Sequence, residues 1–491
     1  MAGIIGFGGY VPRARLSRRA IYDANSWFAP NLKGKARGHR AMANWDEDVI
    51  TMAVAAARDC LGTGEDRSHI DAVYLASVTA PFADRLNAGV VAAALTLEET
   101  VEAFDMGGTR RAGVGLLAQA AARVRGGGGP TLALAADLRK ARMASAAEME
   151  QGEAGAAILM GSENVLAEHL ASASITVDFV DHFRQAGKDF DYQWEERWVR
   201  DEGVAKIAPR AVKAVLEKAG VDAAAVDHFI FPTTLAKMDA QVAKSCGLRP
   251  DSVVPTLHDR MGDAGSAHAL LLLAHLLETA EPGALILLLE FGNGADAALF
   301  RVTDAVRGFR PARGVSGWLA RGREETNYTK LLAFRGLVPV EKGMRGEQDK
   351  KTALSTLYRH RRAILGLVGG KCSETGSVHF PPSRLSYDQQ RPMLDTQVPY
   401  KMAERRAHVL SWSAETLSYY LSPPHHYGQL DFEGGGRILM EFTDVLPGEV
   451  DTGTEMEMSF RIKDRDQLRD FTRYFWKATP VSFAAPDRKE D

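Results

Sequence analysis

The chain has 491 residues, 45% of them hydrophobic and 25% charged, with a formal net charge of -3. That length suits two or three folded units, and the composition excludes a disordered or fibrous chain. Near-neutral charge argues against a nucleic-acid or polybasic membrane partner. Three cysteines exclude a disulfide framework and a four-cysteine zinc site.

The opening Met1-Ala-Gly-Ile-Ile-Gly-Phe-Gly-Gly-Tyr reads as a buried strand and glycine turn, not a signal peptide. An apolar-periodic helix is predicted over Asp48–Leu61, then a strand over Val73–Val78. Asp105-Met-Gly-Gly-Thr-Arg-Arg-Ala-Gly opens a helix over Val114–Val124, and strands follow at Thr131–Ala136 and Gly155–Gly161. The same order returns further on. A helix is predicted at Ala208–Ala219 and a strand at His228–Phe231. Asp259-Arg-Met-Gly-Asp-Ala-Gly-Ser-Ala opens the helix His268–Leu277, before strands Ala284–Leu289 and Asp296–Val302. This internal repeat predicts a layered α/β unit of two similar halves, with buried apolar strands and two glycine-led helix starts. Such starts offer free N–H groups and a positive dipole end; their simpler role is close helix–sheet packing. The apolar stretches Ala269–Leu277 and Ala284–Phe291 are too short to span a membrane, so a cytoplasmic protein is expected.

Glu341–Lys351 reads as a linker. Beyond it, strand-like runs at Ala407–Ser413, Gly428–Phe432, Arg437–Phe442 and Glu455–Arg461 predict a small antiparallel barrel.

Asp46-Glu-Asp-Val-Ile-Thr-Met-Ala, Ile4-Gly-Phe-Gly-Gly-Tyr-Val-Pro and Gln151-Gly-Glu-Ala-Gly-Ala-Ala-Ile-Leu-Met resemble hydroxymethylglutaryl-CoA synthases of the archaeal and bacterial type, in the thiolase superfamily. The resemblance covers about residues 1 to 340 and implies a thiolase-like layered αβαβα fold. It also implies acyl-CoA condensation by a cysteine nucleophile, a histidine–asparagine oxyanion site and a glutamate base. At the matching positions this sequence has Arg110 for cysteine, Pro232 for histidine, Asp263 for asparagine and Val78 for glutamate. Arginine stays protonated and is neither nucleophile nor base. Lys237 and Lys244 fall where the family places basic residues near the CoA mouth; a solvated helix face is the simpler reading. Asp263 and His268 form an alternative acid–base pair beside His258 and Asp259. Their spacing does not put them on one helix face. Cys246 reads as a packed helix end, and Gly126–Gly129 as a flexible turn without the Lys-Ser/Thr of a phosphate loop.

Residues 352 to 485 resemble the small acyl-CoA-associated family that joins a rubredoxin-like zinc ribbon to an OB-fold, through His379-Phe-Pro-Pro, Leu430-Asp-Phe-Glu-Gly-Gly-Gly-Arg-Ile-Leu, Phe442-Thr-Asp-Val and Tyr474-Phe-Trp-Lys. The implied division is a synthase-like domain over 1–340, a linker over 341–351, a degenerate ribbon-like segment over 352–399 and an OB-fold over 400–491. The ribbon's cysteine pairs are reduced to Cys372, with Thr375 and Ser386-Tyr-Asp388 at the other positions, so zinc is not expected. Trp412, Tyr419, Tyr420 and Tyr427 are assigned to barrel core. Asp431, Glu433, Glu441, Asp444, Glu455 and Glu457 make the barrel acidic, against nucleic-acid binding.

The leading expectation is a non-catalytic subunit of a thiolase-type complex acting on a β-ketoacyl-CoA. Its partners are a cysteine-bearing thiolase subunit, a second copy through the N-terminal unit, and acyl-CoA. The alternatives are an acyl-CoA carbon–carbon bond-forming or bond-cleaving enzyme with a relocated site at Asp263 or His268, and a CoA-thioester binding module.

Overall fold

A computed structural model describes residues 1–343, 351–387 and 392–483. The largest sheet has nine strands: β1 (Gly3–Tyr10), β2 (Ala72–Ala76), β3 (Glu102–Met106), β4 (Thr131–Asp137), β5 (Ala154–Gly161), β6 (Ala167–Thr176), β7 (His228–Ile230), β8 (Leu285–Phe291) and β9 (Gly294–Val302). Its order is β7-β8-β9-β6-β1-β5-β4-β2-β3. Two half-sheets meet where β1 and β6 pair antiparallel, through Gly3–Glu168 and Ile4–Ala167. Each half contains the same arrangement: a parallel pair (β2–β4, β7–β8) and antiparallel neighbours leading to the centre. A lone parallel bridge, Phe229–Val253, takes the place in the second half that β3 takes in the first. The repeat predicted from sequence is this pseudo-twofold.

Four helices fill the layers: α1 (Val49–Leu61), α2 (Ala112–Arg125), α3 (Ala205–Ala219) and α4 (His268–Leu277). α2 and α4 lie between the half-sheets and share one core with residues of both, including Phe7, Ile158, Leu288 and Phe300. α3 covers the outer face of the second half, with Val212 and Val215 against Leu287 and Leu299. α1 covers the first half and is buried on nearly every side. The result is five layers, α-β-α-β-α.

Local chemistry explains the boundaries. Asp48 caps α1 through a reciprocal box: its side chain accepts from the Thr51 N–H, and the Thr51 hydroxyl accepts from the Asp48 N–H. Gly220 ends α3 in the left-handed region, φ +64°. A Cβ on Gly8 would sit 2.4 Å from the Cys60 backbone nitrogen, so glycine is what lets α1 lie on β1.

The C-terminal region forms a five-stranded antiparallel sheet: β10 (Ala407–Glu415), β11 (His425–Phe432), β12 (Arg437–Glu441), β13 (Glu455–Asp466) and β14 (Phe471–Pro480), in the order β12-β11-β10-β13-β14. A single bridge, Phe442–Ala478, brings the two edges together. Sequence reading found four of these strands and missed β14. Its alternation of apolar Tyr474, Trp476 and Ala478 with polar Arg473 and Lys477 is interrupted by Phe475.

This sheet packs on the back of α1, and Leu430, Met456 and Trp476 join the same core as Ile50 and Ala53. The seam also carries buried charge. Lys477 lies 3.0 Å from both Asp46 and Glu441. Arg461 pairs with Glu47, and with Asp444 at 2.6 Å. The Tyr474 hydroxyl donates to Asp48 at 2.6 Å.

A short sheet joins Val368–Cys372 to Val378–His379 and Gln397–Lys401. The Cys372 sulfur lies there, 3.1 Å from the Thr396 hydroxyl and accepting from the Thr375 N–H. Asp388 and most of the expected linker, 344–350, lie outside the described residues. The aromatic assignment needs correcting: Trp412 and Tyr419 are 38% and 37% exposed, not barrel core. Among the described residues, no helix is long and apolar enough to cross a membrane.

Candidate active site

The two glycine-led helix starts meet at the centre. A Cβ on Gly113 would lie 2.1 Å from the Ser266 carbonyl oxygen, so the head of α2 touches the turn before α4 backbone to backbone. Thr109–Arg111 lead into α2. Arg110 Nη2 donates to Asp263 Oδ2 at 2.5 Å. Arg139, just past β4, donates to the same oxygen at 3.0 Å and to the Asp263 carbonyl. The Gly265 N–H reaches the other carboxylate oxygen at 3.2 Å. Burial alone would raise the Asp263 carboxyl. Arg110 and Arg139 outweigh it, and the group is held well below the usual carboxylate range. Burial likewise opposes the charge on Arg110, and Asp263 overcomes it, so the guanidinium stays charged.

Glu290 is the opposite case. It stands on β8 in Leu285-Ile-Leu-Leu-Leu-Glu-Phe, 3% exposed, and its Oε2 has no hydrogen-bond partner. Burial drives its carboxyl well above the normal range; Arg110 acts against this and Asp263 adds to it. Its cross-strand neighbour Asp296 takes a 2.5 Å bond from Arg111, whose Nε also donates to the Gly292 carbonyl at 2.9 Å. Two carboxyls at one site are thus pushed in opposite directions, Asp263 down by its guanidiniums and Glu290 up by burial.

Two histidines complete the cluster. His268 Nδ1 accepts from the Ala264 N–H at 3.0 Å, and its Nε2 donates to the Thr256 carbonyl at 2.7 Å. Both ring nitrogens are committed. The 3.4 Å approach of Nδ1 to Asp263 Oδ1 is therefore contact between two acceptors, not an ion pair. His258 packs edge-on against His268, ring centroids 4.7 Å apart. Burial, then His268, pushes His258 down to about 3, and its Nε2 has no partner. His258, Asp263 and His268 bring possible ligand atoms within 4.8 Å of one another. Two guanidiniums on Asp263 and a fully bonded His268 fit a polar network rather than a cation site.

The expected site residues divide. Arg110, Asp263 and His268 come together, which corrects the spacing argument: Asp263 precedes α4, so helix-face periodicity never governed the pair. Val78 sits at the edge, its N–H donating 2.8 Å to Asp137, which also takes the Ser266 N–H at 2.8 Å. Pro232 is buried just after β7. Lys237, just before the helix Met238–Ser245, and Lys244, in its last turn, are exposed, and neither joins the cluster among the described residues. Cys60 is buried in α1, where burial and then Asp59 push its thiol up. Cys246 caps the short helix end as expected. Sequence reading missed Glu290 and Arg139. The available signal was a lone acid in a wholly apolar strand, a placement that burial penalises unless the group is neutral or paired.

Five α-β-α-β-α layers with helix heads meeting at a buried polar centre define a thiolase-like protein. Comparison with known proteins agrees. Residues 216–302 match the family described as 3-oxoacyl-[acyl-carrier-protein] synthase III C terminal. Solved structures of similar fold include 3-oxoacyl-(acyl carrier protein) synthase III from Pseudomonas aeruginosa, with a TM-score of 0.55 at 22% identity, covering 62% of this chain and 98% of that one. Another is MvaS in complex with 3-hydroxy-3-methylglutaryl coenzyme A, with a TM-score of 0.59 at 19% identity, covering 69% and 92%. The hydroxymethylglutaryl-CoA synthase of Aeropyrum pernix is 31% identical over 349 residues, 70% of this chain and 96% of that protein. That of Methanocaldococcus jannaschii is 29% identical over 344 residues, 68% and 99%. The chain belongs to the hydroxymethylglutaryl-CoA synthase family. This overturns the expectation of a non-catalytic subunit: relatives carrying the enzyme's name match along nearly their whole length, whereas that expectation rested on four replaced positions.

Proposed function

We propose that the chain is an acyl-CoA enzyme that forms or cleaves a carbon–carbon bond, as its family name implies, with its chemistry moved from a cysteine to the Arg110–Asp263–Glu290 cluster. The observation that carries this reading is geometric: Asp263 is held by Arg110 and Arg139, beside a buried Glu290 whose Oε2 has no hydrogen-bond partner. Asp263 fixes Arg110 in place as a charged donor. Arg110 is suited to polarise a ketone carbonyl and stabilise the oxyanion formed there. Glu290, protonated and uncommitted at Oε2, is suited to give its proton to that oxygen as the new carbon–carbon bond closes. His258 Nε2 is the unpartnered acceptor for the α-proton of the attacking thioester. The adduct keeps both thioesters, and hydrolysis of one by water releases CoA; in cleavage the same protons travel back. His268 positions the turn that holds Asp263. The acyl-CoA itself is substrate.

The test is turnover by the purified full chain with acetyl-CoA and acetoacetyl-CoA, and with the hydroxymethylglutaryl thioester in reverse. A variant with all three cysteines replaced by alanine keeps its activity, and Glu290→Gln loses roughly 10²–10⁴-fold in kcat. Absence of turnover in both directions, or dependence on any cysteine, refutes this reading.

The C-terminal sheet is assigned to the OB-fold class. Following the closed circuit β10-β11-β12-β14-β13, with the Phe442–Ala478 bridge as closure, supports it.

A further inference from the structure

The reaction proposed above leaves one step without a residue: the water that hydrolyses a thioester needs a base. The groups already placed are closed to solvent. Glu290 and His268 are 3% and 0% exposed, and His258 Nε2 is buried. A base for that water has to stand at the rim of the Arg110 cluster and keep one ring nitrogen or carboxylate oxygen open.

Residues 177–204 lead from β6 into α3. Within them a short hairpin pairs His182–Phe183 with Tyr192–Gln193. The start of this hairpin is tied to both edges of the site. Asp181 Oδ1 accepts from the Asn293 N–H at 3.3 Å, and the Asn293 side chain donates to the Phe179 carbonyl at 3.1 Å. Asn293 follows Gly292, whose carbonyl takes the Thr109 hydroxyl at 2.8 Å and Arg111 Nε at 2.9 Å. A Cβ on Gly292 would lie 3.6 Å from the Arg110 backbone nitrogen. On the other side Arg184 donates to the carbonyl of Val78, whose N–H is held by Asp137. His182 therefore stands between one anchor beside Arg110 and another at Val78.

Its ring is set up to take a proton. His182 Nδ1 lies 2.6 Å from Asp181 Oδ2. Burial would raise the Asp181 carboxyl, but His182 and then Arg110 hold it below its usual value. An ionised carboxylate only accepts, so Nδ1 carries the ring proton and Nε2 the lone pair. Among the described residues no hydrogen bond reaches Nε2, and the side chain is 21% exposed, open to water. A carboxylate behind Nδ1 fixes this tautomer and stabilises the imidazolium that forms when Nε2 is protonated.

We propose that His182, oriented by Asp181, is the base that activates water for thioester hydrolysis at this site, an inference that rests on the acyl-CoA reading above. Nε2 takes one proton from the water as its oxygen adds to the thioester carbon. The carbon–sulfur bond then breaks, and that proton passes to the departing CoA sulfur. The acid formed leaves as a carboxylate, and its proton, the second from the water, goes to solvent.

The probe is acetyl-CoA, alone and with acetoacetyl-CoA, given to the purified full chain in water labelled with heavy oxygen. Labelled acetate and free CoA thiol report hydrolysis; the condensed product reports carbon–carbon bond formation. His182→Gln should lower labelled acetate roughly 10²–10⁴-fold. With both substrates the adduct should still form in that variant and accumulate with both thioesters intact, which mass spectrometry detects. Asp181→Asn should shift the products in the same direction, by about tenfold or more, because the ring loses the carboxylate that fixes its tautomer. The two readings fail separately. Hydrolysis that depends on His182 without any condensation sinks the condensation reading alone. Condensation in which His182→Gln releases CoA at the unaltered rate overturns the role of His182 alone. Equal loss of adduct formation and hydrolysis in His182→Gln also overturns it, since that marks a purely structural part. So does an unaltered chain that forms no labelled acetate.

Discussion

Replacing Glu290 by Gln makes the most discriminating stability measurement. The carboxyl is fully buried, its Oε2 is unpartnered, and burial raises it well above an unfolded carboxyl. The sign follows from linkage. A group raised on folding favours the fold fully below its unfolded value, near 4.3 for glutamate, and loses that contribution as pH rises through the folded value. Between those limits the unfolded chain releases a proton that the folded chain keeps. Each pH unit then costs about 1.4 kcal/mol of stability. Gln is close in shape, keeps an amide donor where the protonated acid has its O–H, and cannot ionise. Urea unfolding of both proteins at pH 5.5 and 6.5 reads the difference directly. The advantage of Glu290→Gln should grow by about 1.4 kcal/mol across that step. Parallel stability curves would mean that Glu290 is ionised in the fold, and the proton-donor role would fail with them.

Asp263→Asn leaves Arg110 and Arg139 buried without their shared anion and should cost about 3–5 kcal/mol, read by thermal denaturation. In the unaltered chain Asp263, held low, contributes stability that is present above about pH 4 and lost on further acidification. His268→Ala strands the Ala264 N–H and the Thr256 carbonyl and should cost about 2–4 kcal/mol, measured by urea unfolding. Cys60, raised by burial, should react with a thiol reagent only after unfolding, which mass spectrometry of labelled peptides resolves. Lys477→Met leaves Asp46 and Glu441 facing each other across the seam and should expose the C-terminal sheet to limited proteolysis.

The duplicated fold was readable because its signals are local. Apolar runs such as Ala133–Ala136 and Leu285–Leu289 read as buried strands because glycine and proline turns bound them closely, and glycine-led starts repeat at equal order. β3 and β14 show where local pattern stops. β3 is an exposed edge strand whose two acids, Glu102 and Asp105, fall on opposite faces, and β14 carries a lysine whose partners lie on distant segments. At the site, Arg110 and Asp263 were found as oddities against a family pattern, but their bond to each other spans 153 positions and has no local signature. Glu290 was missed for a related reason: its state is set by Arg110 and Asp263 brought in from other elements. A replaced residue says which group is absent, not what its neighbours can do together.

The seam beneath α1 has a consequence for synthesis. Asp46, Glu47 and Asp48 leave the ribosome early, and Tyr474, the partner of Asp48, follows 426 residues later. At roughly 5–20 residues per second that interval lasts on the order of 20–85 seconds. Through it the nascent N-terminal half carries three acids that the finished molecule encloses, and α1 has an uncovered apolar back. β13 and β14 therefore cover the back of α1 only after both regions have been made.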